Sequence, residues 1–219
     1  MFTKGFIASG AQITTQASLA TFDIQYIGTI PAEEDDTSWQ EFTFTNISSH
    51  VNKNARLMIL FQSSGSPSAD LALDSIQLGT TVWDFDSGIN GFQQPTVGDG
   101  IRYGSPHLNA SGVFAEYNTK TFTDLASTGT AREFFNRRSG TTPSSNTGPS
   151  GAYSGSYYLY AETSGNGRKN DFYLRSPLIT VASNYVRVYA YRNADIREGS
   201  STYDEPVGPS YLFLIYQTN

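Results

Sequence analysis

Residues 141–177 decide the fold of this chain: TTPSSNTGPSGAYSGSYYLYAETSGNGRKNDFYLRSP. A loop rich in Gly, Ser, Thr and Pro leads into the aromatic run Tyr157-Tyr158-Leu159-Tyr160, and a second polar loop leads into a short apolar run that ends at Ser176-Pro177. Aromatic and β-branched residues between turn formers are typical of β-strands. The stretch therefore predicts a loop, a strand, a second loop and a second strand, in that order.

Alternation with a period of two residues extends this pattern along the chain. Residues i and i+2 lie on one face of a strand, so apolar residues at that spacing mark a half-buried strand. No window of comparable length has a convincing helical repeat. The sequence therefore predicts an all-β fold, an antiparallel two-sheet jelly-roll sandwich with little helix. The alternating sets are Phe22, Ile24 and Tyr26; Phe42 and Phe44; Leu57, Ile59 and Phe61; Ile76 and Leu78; Tyr158 and Tyr160; Val186 and Val188; Leu212 and Leu214.

One domain, residues 19–219, accounts for these strands, and a chain of 219 residues is long enough to bury a substantial core. Residues 93–130 differ in composition because they are more polar, but they still contain aromatic side chains. We therefore expect them to be a long ordered loop excursion and not a linker. Residues 1–18 are polar and rich in Thr, and we expect an N-terminal extension that docks on a neighbouring subunit.

The acidic balance of the chain argues against nucleic acid as a partner. Its formal net charge is -6 and its pI is about 4.8, so the basic field that phosphate binding requires is missing. Without cysteine, neither disulfides nor thiolate metal sites can form. The longest apolar runs, 57–61 and 211–216, are much shorter than the roughly 20 residues of a membrane-spanning helix. Since the first residues also lack the apolar run of a secretory signal, we expect synthesis in the cytoplasm and no membrane partner.

Two groups of motifs resemble the MAM domain, an extracellular recognition module. The segment WDFDSG at 83–88, followed by Gly91-Phe92, is similar to the opening of that domain. Further blocks then follow in the family's order, so residues 83–216 resemble the opening half of the domain. These blocks are RRSG at 137–140, TPSSNTGPSG at 142–151, YYLYAETS at 157–164 and LRSPL at 174–178.

The closing half of the family's pattern lies upstream instead of downstream. Residues 20–78 resemble it through Trp39-Gln40, a strand at 41–45, the run 55–62 and DLALDSI at 70–76. Two arrangements fit this circularly permuted order. In one, a single domain has its original ends joined and a surface loop opened; in the other, neighbouring subunits exchange halves. We favour the single domain, because one chain supplies both halves and short connections are the rule.

The resemblance also implies a cation, because MAM domains hold one near the corresponding acidic residues. On that basis Asp74, Asp84 and Asp86 are the candidate calcium ligands. Calcium takes about six to eight oxygen ligands, and acidic residues at strand ends supply them. Ser75 stands where the family often has a second acidic residue, and the family's paired cysteines are absent. The alternative is that these carboxylates are solvated edge charges that discourage aggregation between sheets. The sequence requires no other cofactor.

Aromatic and basic residues in loops form the candidate partner surface. Tyr103, Tyr117 and Tyr153 offer rings that would contact a protein partner or stack on a surface glycan. Arg137 and Arg138 give the neighbouring loops a basic character that would register adjacent subunits. The alternative is core packing for the rings and ordinary solvation for the arginines.

Catalytic signatures do not occur in the sequence. His50 and His107 are the only histidines, and neither has an acidic partner at a motif spacing, so we expect both on the surface. No nucleophile elbow, phosphate loop or metalloprotease pattern is present. We therefore expect that the protein is not an enzyme.

A recognition-type jelly roll without an export signal, cysteine or active-site motif favours a virion protein over a cell-surface module. Residues 57–85 also resemble segments of structural proteins of tailed bacteriophages, cyanophage-like ones in particular. We therefore expect a non-enzymatic virion structural protein, a capsid cement or decoration subunit. Its partners would be the major capsid protein or tail proteins, and copies of itself. The alternatives are a tail or receptor-binding component, and a carbohydrate-binding module that binds a surface glycan.

Overall fold

The structure is a computed structural model, and it describes residues 21–33, 36–63, 69–96, 117–118, 120–125, 135–143, 147–163, 171–194 and 207–218. These ranges contain thirteen β-strands and one 3-10 turn, Ser48–His50. In chain order the strands are β1 (Phe22–Ile30), β2 (Gln40–Phe44), β3 (Asn54–Gln62), β4 (Ala69–Leu78), β5 (Thr81–Trp83), β6 (Gln93–Pro95), β7 (Phe122–Asp124), β8 (Phe135–Ser139), β9 (Tyr157–Ala161), β10 (Asp171–Arg175), β11 (Ile179–Thr180), β12 (Val186–Ala194) and β13 (Ser210–Gln217).

The strands form two sheets that pack face to face as a sandwich. Sheet 1 has the order β1-β13-β3-β10-β6-β7, and β11 also pairs with β3. Sheet 2 has the order β2-β12-β4-β9-β8, and β5 also pairs with β4. All of these strand pairs are antiparallel. The predicted all-β, antiparallel two-sheet sandwich is confirmed.

Strands that follow one another in the chain occupy the same position, called a rank below, in the strand orders of the two sheets. β1 and β2 hold the first rank, β13 and β12 the second, β3 and β4 the third, and β10 and β9 the fourth. Each pair is an arch between the sheets, and arches wound around one core in this way make a jelly roll. Across these four ranks, strands from residues 20–78 alternate with strands from residues 83–216 in both sheets. Neither segment forms a sheet by itself.

The central strand of sheet 1, β3, is buried on both faces. Leu57, Ile59 and Phe61 belong to the main core between the sheets, whereas Met58 and Leu60 belong to a separate buried cluster on the outer face of sheet 1. This division follows from the pleat, which sends successive side chains to opposite faces. The outer face of sheet 1 is therefore covered and not simply solvated.

Sheet 2 has the same character around β4. Leu71 and Leu73 contact the main core, while Ala72 joins Tyr158 and Tyr160 in a third buried cluster on the outer face. Both tyrosines are fully buried, as the core interpretation of the sequence expected, but they do not lie between the sheets. The loop that precedes β9 packs over them, because Ala152 is part of the same cluster.

The described ends of the long excursion lie at one edge of sheet 1. β6 begins at Gln93, β7 ends at Asp124, and the two strands pair with each other. At the opposite edge, β1 pairs with β13, and Thr21 and Thr218 meet at the end of this ladder with their Oγ1 atoms 2.6 Å apart. The predicted docking strip, residues 1–18, lies outside the described residues.

His50 is buried, so its prediction as a surface histidine was wrong. Its side chain is only 3% exposed, and its ring centroid lies 4.0 Å from that of Tyr216. The 3-10 turn at Ser48–His50 folds the imidazole against β13, which no local pattern in the sequence indicates. Burial lowers the pKa of His50, and the positive charge of Lys53 lowers it further. His107 lies outside the described residues.

A buried ion pair connects the link between β1 and β2 to β12. Arg192 Nε lies 2.9 Å from Asp36 Oδ2, and both side chains are almost fully buried. The Arg192 backbone N–H also donates to Asp36 Oδ2, and Arg192 Nη1 donates to the carbonyl of Pro31 at 2.7 Å. Each charge is thus both paired and hydrogen-bonded, which is the condition for burying charges at acceptable cost.

We expect Asp36→Ala to lower the free energy of unfolding by about 3–5 kcal/mol, because it leaves the Arg192 guanidinium buried without a counter-charge. Urea unfolding measures this change. The matched control is the double variant Asp36→Ala, Arg192→Met, which removes both charges and should lose clearly less stability than Asp36→Ala. A single variant that unfolds like the wild type would contradict the prediction.

Candidate functional site

Asp74, one of the three predicted calcium ligands, is fully buried on the outer face of β4. Its Oδ2 accepts the backbone N–H of Ser154 at 3.0 Å, and its Oδ1 accepts that of Ser75 at 2.6 Å. Ser75 has a positive φ of 45° beside the register shift between β4 and β12, so the strand is bulged here. Burial raises the pKa of Asp74 to about 6; the nearby charge of Asp86 adds to this increase, and the backbone donors oppose it.

Asp86, the second predicted ligand, binds the same loop from the other side. Its Oδ1 accepts the backbone N–H groups of Ser156 at 2.7 Å and Tyr157 at 3.0 Å. Gly155 has a positive φ of 66°, and a Cβ there would lie 1.7 Å from Asp86 Oδ2. Only glycine therefore lets the carboxylate approach this close to the backbone. The structure brings Asp74 and Asp86 to one turn, residues 153–157, as anchors of its backbone.

Asp84, the third predicted ligand, is exposed, and its Oδ1 accepts the backbone N–H of Asp86 at 3.1 Å. Carboxylate oxygens that accept N–H donors have fewer lone pairs left for a hard cation. Within the described ranges, no group of three or more His, Cys, Asp or Glu side chains is arranged to hold a metal. Calcium at Asp74, Asp84 and Asp86 stays a prediction of the resemblance.

Arg137, predicted to contact a partner, holds the turn after β5. Its Nε donates to the carbonyl of Phe85 at 2.6 Å, its Nη2 donates to the carbonyl of Asp86 at 2.8 Å, and its guanidinium lies 3.4 Å from the ring centroid of Tyr157. Phe85 is buried with a positive φ of 65°, a conformation that costs free energy in a non-glycine residue. The Arg137 contacts help to offset that cost. Arg138 donates to the carbonyl of Thr141 at 2.7 Å.

The three predicted tyrosines do not share one surface. Tyr153 is 45% exposed and its ring stacks on Tyr189 with 3.6 Å between centroids, on the outer side of sheet 2. Tyr117 is only 7% exposed and packs with Met58 and Phe213 on the outer face of sheet 1. Tyr103 lies outside the described residues. The described members of the predicted surface therefore lie on opposite sides of the sandwich.

An aromatic platform on sheet 2 was only partly foreseen. It consists of Trp39, Tyr153, Tyr158, Tyr189 and Tyr191. Trp39 is its centre, because its ring meets Tyr158 at 5.9 Å, Tyr191 at 5.8 Å and Tyr153 at 6.5 Å, all edge to face. Sequence reasoning missed Tyr189 and Tyr191, although their spacing of two residues in β12 was a usable signal.

A shallow groove of about 260 Å³ lies beside the aromatic platform. Trp39 and Tyr191 line it together with residues 37–38 and 149–152. Trp39 Nε1 donates to the carbonyl of Gly151 at 3.2 Å, which fixes the loop wall relative to the ring. The groove thus combines two rings with hydroxyl and backbone groups.

A buried acid network lies on the same face and was not predicted. Tyr160 Oη is 2.9 Å from Asp70 Oδ2 and 2.7 Å from Glu162 Oε2. A phenol has one proton and can donate to only one of these carboxyl groups, so the other must donate a proton of its own to the phenol oxygen. Asp70 also accepts the N–H and hydroxyl of Thr163 and the hydroxyl of Thr147. The network therefore requires one shared proton.

The raised pKa of Asp70 favours this residue as the holder of the proton. Burial raises its pKa to about 7, and the negative charge of Glu162 adds to the increase, against the hydrogen bonds from Thr163 and Tyr160. Burial also raises the pKa of Tyr160, so the phenol remains protonated. The sequence indicated Asp70 only as the first residue of the DLALDSI motif at 70–76. Its role depends on Glu162, which directly follows β9 and which a local pattern does not reveal.

No family model, curated protein or solved structure matches this chain. The resemblances to MAM domains and to phage structural proteins therefore stay predictions. Among the residues that the structure describes, no helix has the length and apolar character needed to cross a bilayer.

Asp70 and Asp74 should make the stability of the protein fall as the pH rises from about 4 to about 8, and His50, whose lowered pKa acts in the opposite direction, offsets part of this fall. Between its ordinary value of 3.8 and about 7, Asp70 is protonated in the folded protein but ionised in the unfolded chain, so folding takes up a proton and is favoured by acid. Asp74, raised to about 6, acts in the same direction. One pKa unit corresponds to about 1.4 kcal/mol, so the fall should be of the order of a few kcal/mol.

Urea unfolding across this pH range checks the prediction. Asp70→Asn mimics the protonated carboxyl and should remove the larger part of the pH dependence of the free energy of unfolding. The part that Asp74 contributes should remain. Asp84→Asn, at an exposed site, should keep the wild-type slope. Equal slopes for Asp70→Asn and the wild type would contradict the assignment of the proton to Asp70.

Proposed function

We propose that the protein is a non-enzymatic structural subunit of a tailed-phage virion, a capsid cement or decoration subunit that binds neighbouring capsid proteins. The observation that carries this proposal is the exposed apolar face of the edge strand β1. Phe22 is 36% exposed and Tyr26 is 43% exposed on the same face of that strand. An edge strand with exposed rings offers both backbone hydrogen bonds and apolar contact to a partner.

The backbone geometry of β1 supports docking by an added strand. In the described part of the chain, β1 has a strand neighbour on one side only, β13. The Ile24 N–H already donates to Asp23 Oδ1 and the Ile27 carbonyl already accepts from Asn46 Nδ2, so a ladder with an extended segment of a neighbouring subunit would use the remaining groups of this edge. Asp23 is the only charged residue in the strand, so little electrostatic repulsion opposes such pairing. Lysine or proline, which commonly protect an edge, does not occur in β1.

Composition supports assembly in the cytoplasm followed by docking to a particle. The chain has no cysteine, so its stability depends on packing and hydrogen bonds that form equally well under reducing conditions. The looser resemblance of residues 57–85 to phage structural proteins points to the same setting. A tail or receptor-binding component is the alternative location within the particle.

Purified particles of the virus that encodes this chain should contain it in a copy number comparable with that of the major capsid protein. Recombinant protein should also bind capsids that lack it, and Tyr26→Lys should weaken this binding by at least about tenfold, because it places a charge at the docking edge. Quantitative mass spectrometry and co-sedimentation measure the two quantities. Val82→Lys is the matched control, since Val82 is 48% exposed but lies in β5 of the other sheet.

A copy number far below that of the capsid protein would place the chain in the tail, and its absence from particles would contradict the proposal. Equal binding of Tyr26→Lys and the wild type would exclude β1 as the docking edge. Melting temperatures of both variants exclude loss of folding as the cause.

Saccharide binding is a second candidate function, and the groove at Trp39 and Tyr191 favours it. Aromatic faces stack on sugar rings, and the hydroxyl and backbone groups of residues 37–38 and 149–152 would bind the sugar hydroxyls. The groove is pre-formed, because the hydrogen bond from Trp39 to Gly151 already fixes its wall.

If the groove binds a glycan, a glycan array should show saturable binding that Tyr191→Ala weakens about tenfold through loss of the stacking ring. Tyr26→Ala, on the other sheet, is the matched control and should bind like the wild type. Absence of saturable binding across the array, or equal loss in both variants, would contradict a saccharide site at this groove.

A further inference from the structure

A pocket of about 260 Å³ opens on the outer face of sheet 1, on the opposite side of the sandwich from the aromatic platform. Two arginines, Arg56 of β3 and Arg175 of β10, lie in its wall. Phe22, Tyr117 and Ile215 supply aromatic and apolar surface beside them. The pocket therefore combines positive charge with a surface suited to an apolar ring or stem.

Strand register places the two guanidinium groups on one face. Arg175 pairs with Met58, so Arg56 is the diagonal neighbour of Arg175 across the ladder. Side chains in this relation start from Cα atoms roughly 7–8 Å apart, within reach of long side chains. Burial lowers the pKa of Arg56, and the positive charge of Arg175 lowers it further. The two charges are thus close enough to repel each other.

Neutral groups hold Arg175 in place. Gln93 Oε1 accepts from its Nε at 3.0 Å and from its Nη2 at 2.7 Å, and Tyr117 Oη accepts from its Nη1 at 2.7 Å. Its guanidinium also lies 3.9 Å from the ring centroid of Phe122. These contacts orient the guanidinium rigidly, but none of them neutralises its charge.

Arg56 is held more loosely. Its Nη1 donates to the backbone carbonyl of Ser176 at 2.9 Å. Among the described residues this carbonyl is its one hydrogen-bond acceptor, so Nε and Nη2 of Arg56 donate to no described protein atom. A guanidinium with unused donors beside a concave surface is a ready anion ligand.

Neither guanidinium has an acidic partner within the ranges that the structure describes. The contrast with Arg192 is direct, because that buried arginine is paired with Asp36. The lack of an acidic partner is a property of this pocket and not of the composition, since the chain has 20 Asp and Glu residues against 14 Lys and Arg. Half-buried like charges without a counter-charge are unfavourable, and an anion in the pocket would relieve their repulsion.

We propose that this pocket binds a carboxylate carried on a ring, with the carboxylate held by Arg56 and Arg175 and the ring packed on Phe22, Tyr117 and Ile215. The planar guanidinium fork matches the two oxygens of a carboxylate. Inorganic phosphate suits the site less well, because it has no ring to cover the apolar wall, although Asn118 in the lining offers a further donor. An aromatic acid and a hexuronate residue of an acidic saccharide are the two sources with this chemistry. The pocket shares Phe22 with the proposed docking edge, but its two arginines lie outside β1.

Titration calorimetry of the full chain with sodium benzoate, sodium glucuronate, glucose and inorganic phosphate tests the proposal. At least one of the two carboxylates should bind saturably and at least about tenfold more tightly than glucose or phosphate. Arg56→Gln should weaken that binding at least about tenfold, and added salt should weaken it as well. Arg138→Gln, an arginine of the other sheet, is the matched control and should bind like the wild type. The tighter of the two carboxylates identifies the source.

Two further measurements separate binding from folding. Without ligand, Arg56→Gln should melt no lower than the wild type, because it removes one of two repelling charges. Arg56→Lys keeps the charge but loses the planar fork, so it should bind with intermediate affinity. Failure of both carboxylates to saturate, equal affinity for phosphate, or unchanged binding by Arg56→Gln would each overturn the proposal.

Discussion

β4 is buried along both of its faces, and this constraint determines what the surrounding chain must supply. Its inner face meets the other sheet. On its outer face, no third sheet occurs among the described residues, and the loop before β9 covers it. Asp70 and Asp74 fall on the covered face and lose their water, which raises the pKa of each. The loop and β9 provide hydrogen-bond donors to these two carboxyl groups, from Thr147, Ser154 and Tyr160. The abundance of Ser, Thr and Gly in that loop thus follows from what it has to cover.

Period-two alternation predicted the strands because it is a local property, and each predicted set lies in a strand. It could not predict which face meets the core, because apolar side chains occupy both faces of strands such as β3 and β12. The resemblance implied that Asp74 and Asp86 would lie near each other, but not that their carboxylates would accept backbone N–H groups. The burial of His50 and the pairing of Asp70 with Glu162 depend on contacts distant in sequence, which a local sequence pattern does not display. The permuted order, the cation and the virion setting stay predictions.

Arginine has three different roles in this sandwich. Arg192 is paired with an acid inside the fold, and Arg137 binds carbonyl groups and a ring at a strained turn. Arg56 and Arg175 have only neutral partners beside a concave surface. The first two bind groups of the protein itself, whereas the last pair has charge to offer to a ligand. The outer faces of the two sheets consequently present different chemistry, uncharged rings on one side and a cationic pocket on the other.

The meeting of Thr21 and Thr218 at the end of the β1–β13 ladder has a mechanical consequence. Hydrogen bonds in an antiparallel pair lie perpendicular to the strands. A tensile load applied through these two residues would pull along those bonds and open them one pair at a time, instead of shearing the whole ladder at once. The β1–β13 ladder would therefore open at a low force when the load acts through Thr21 and Thr218. A load applied across the faces of the sandwich would be shared by many strand pairs and would need a higher force.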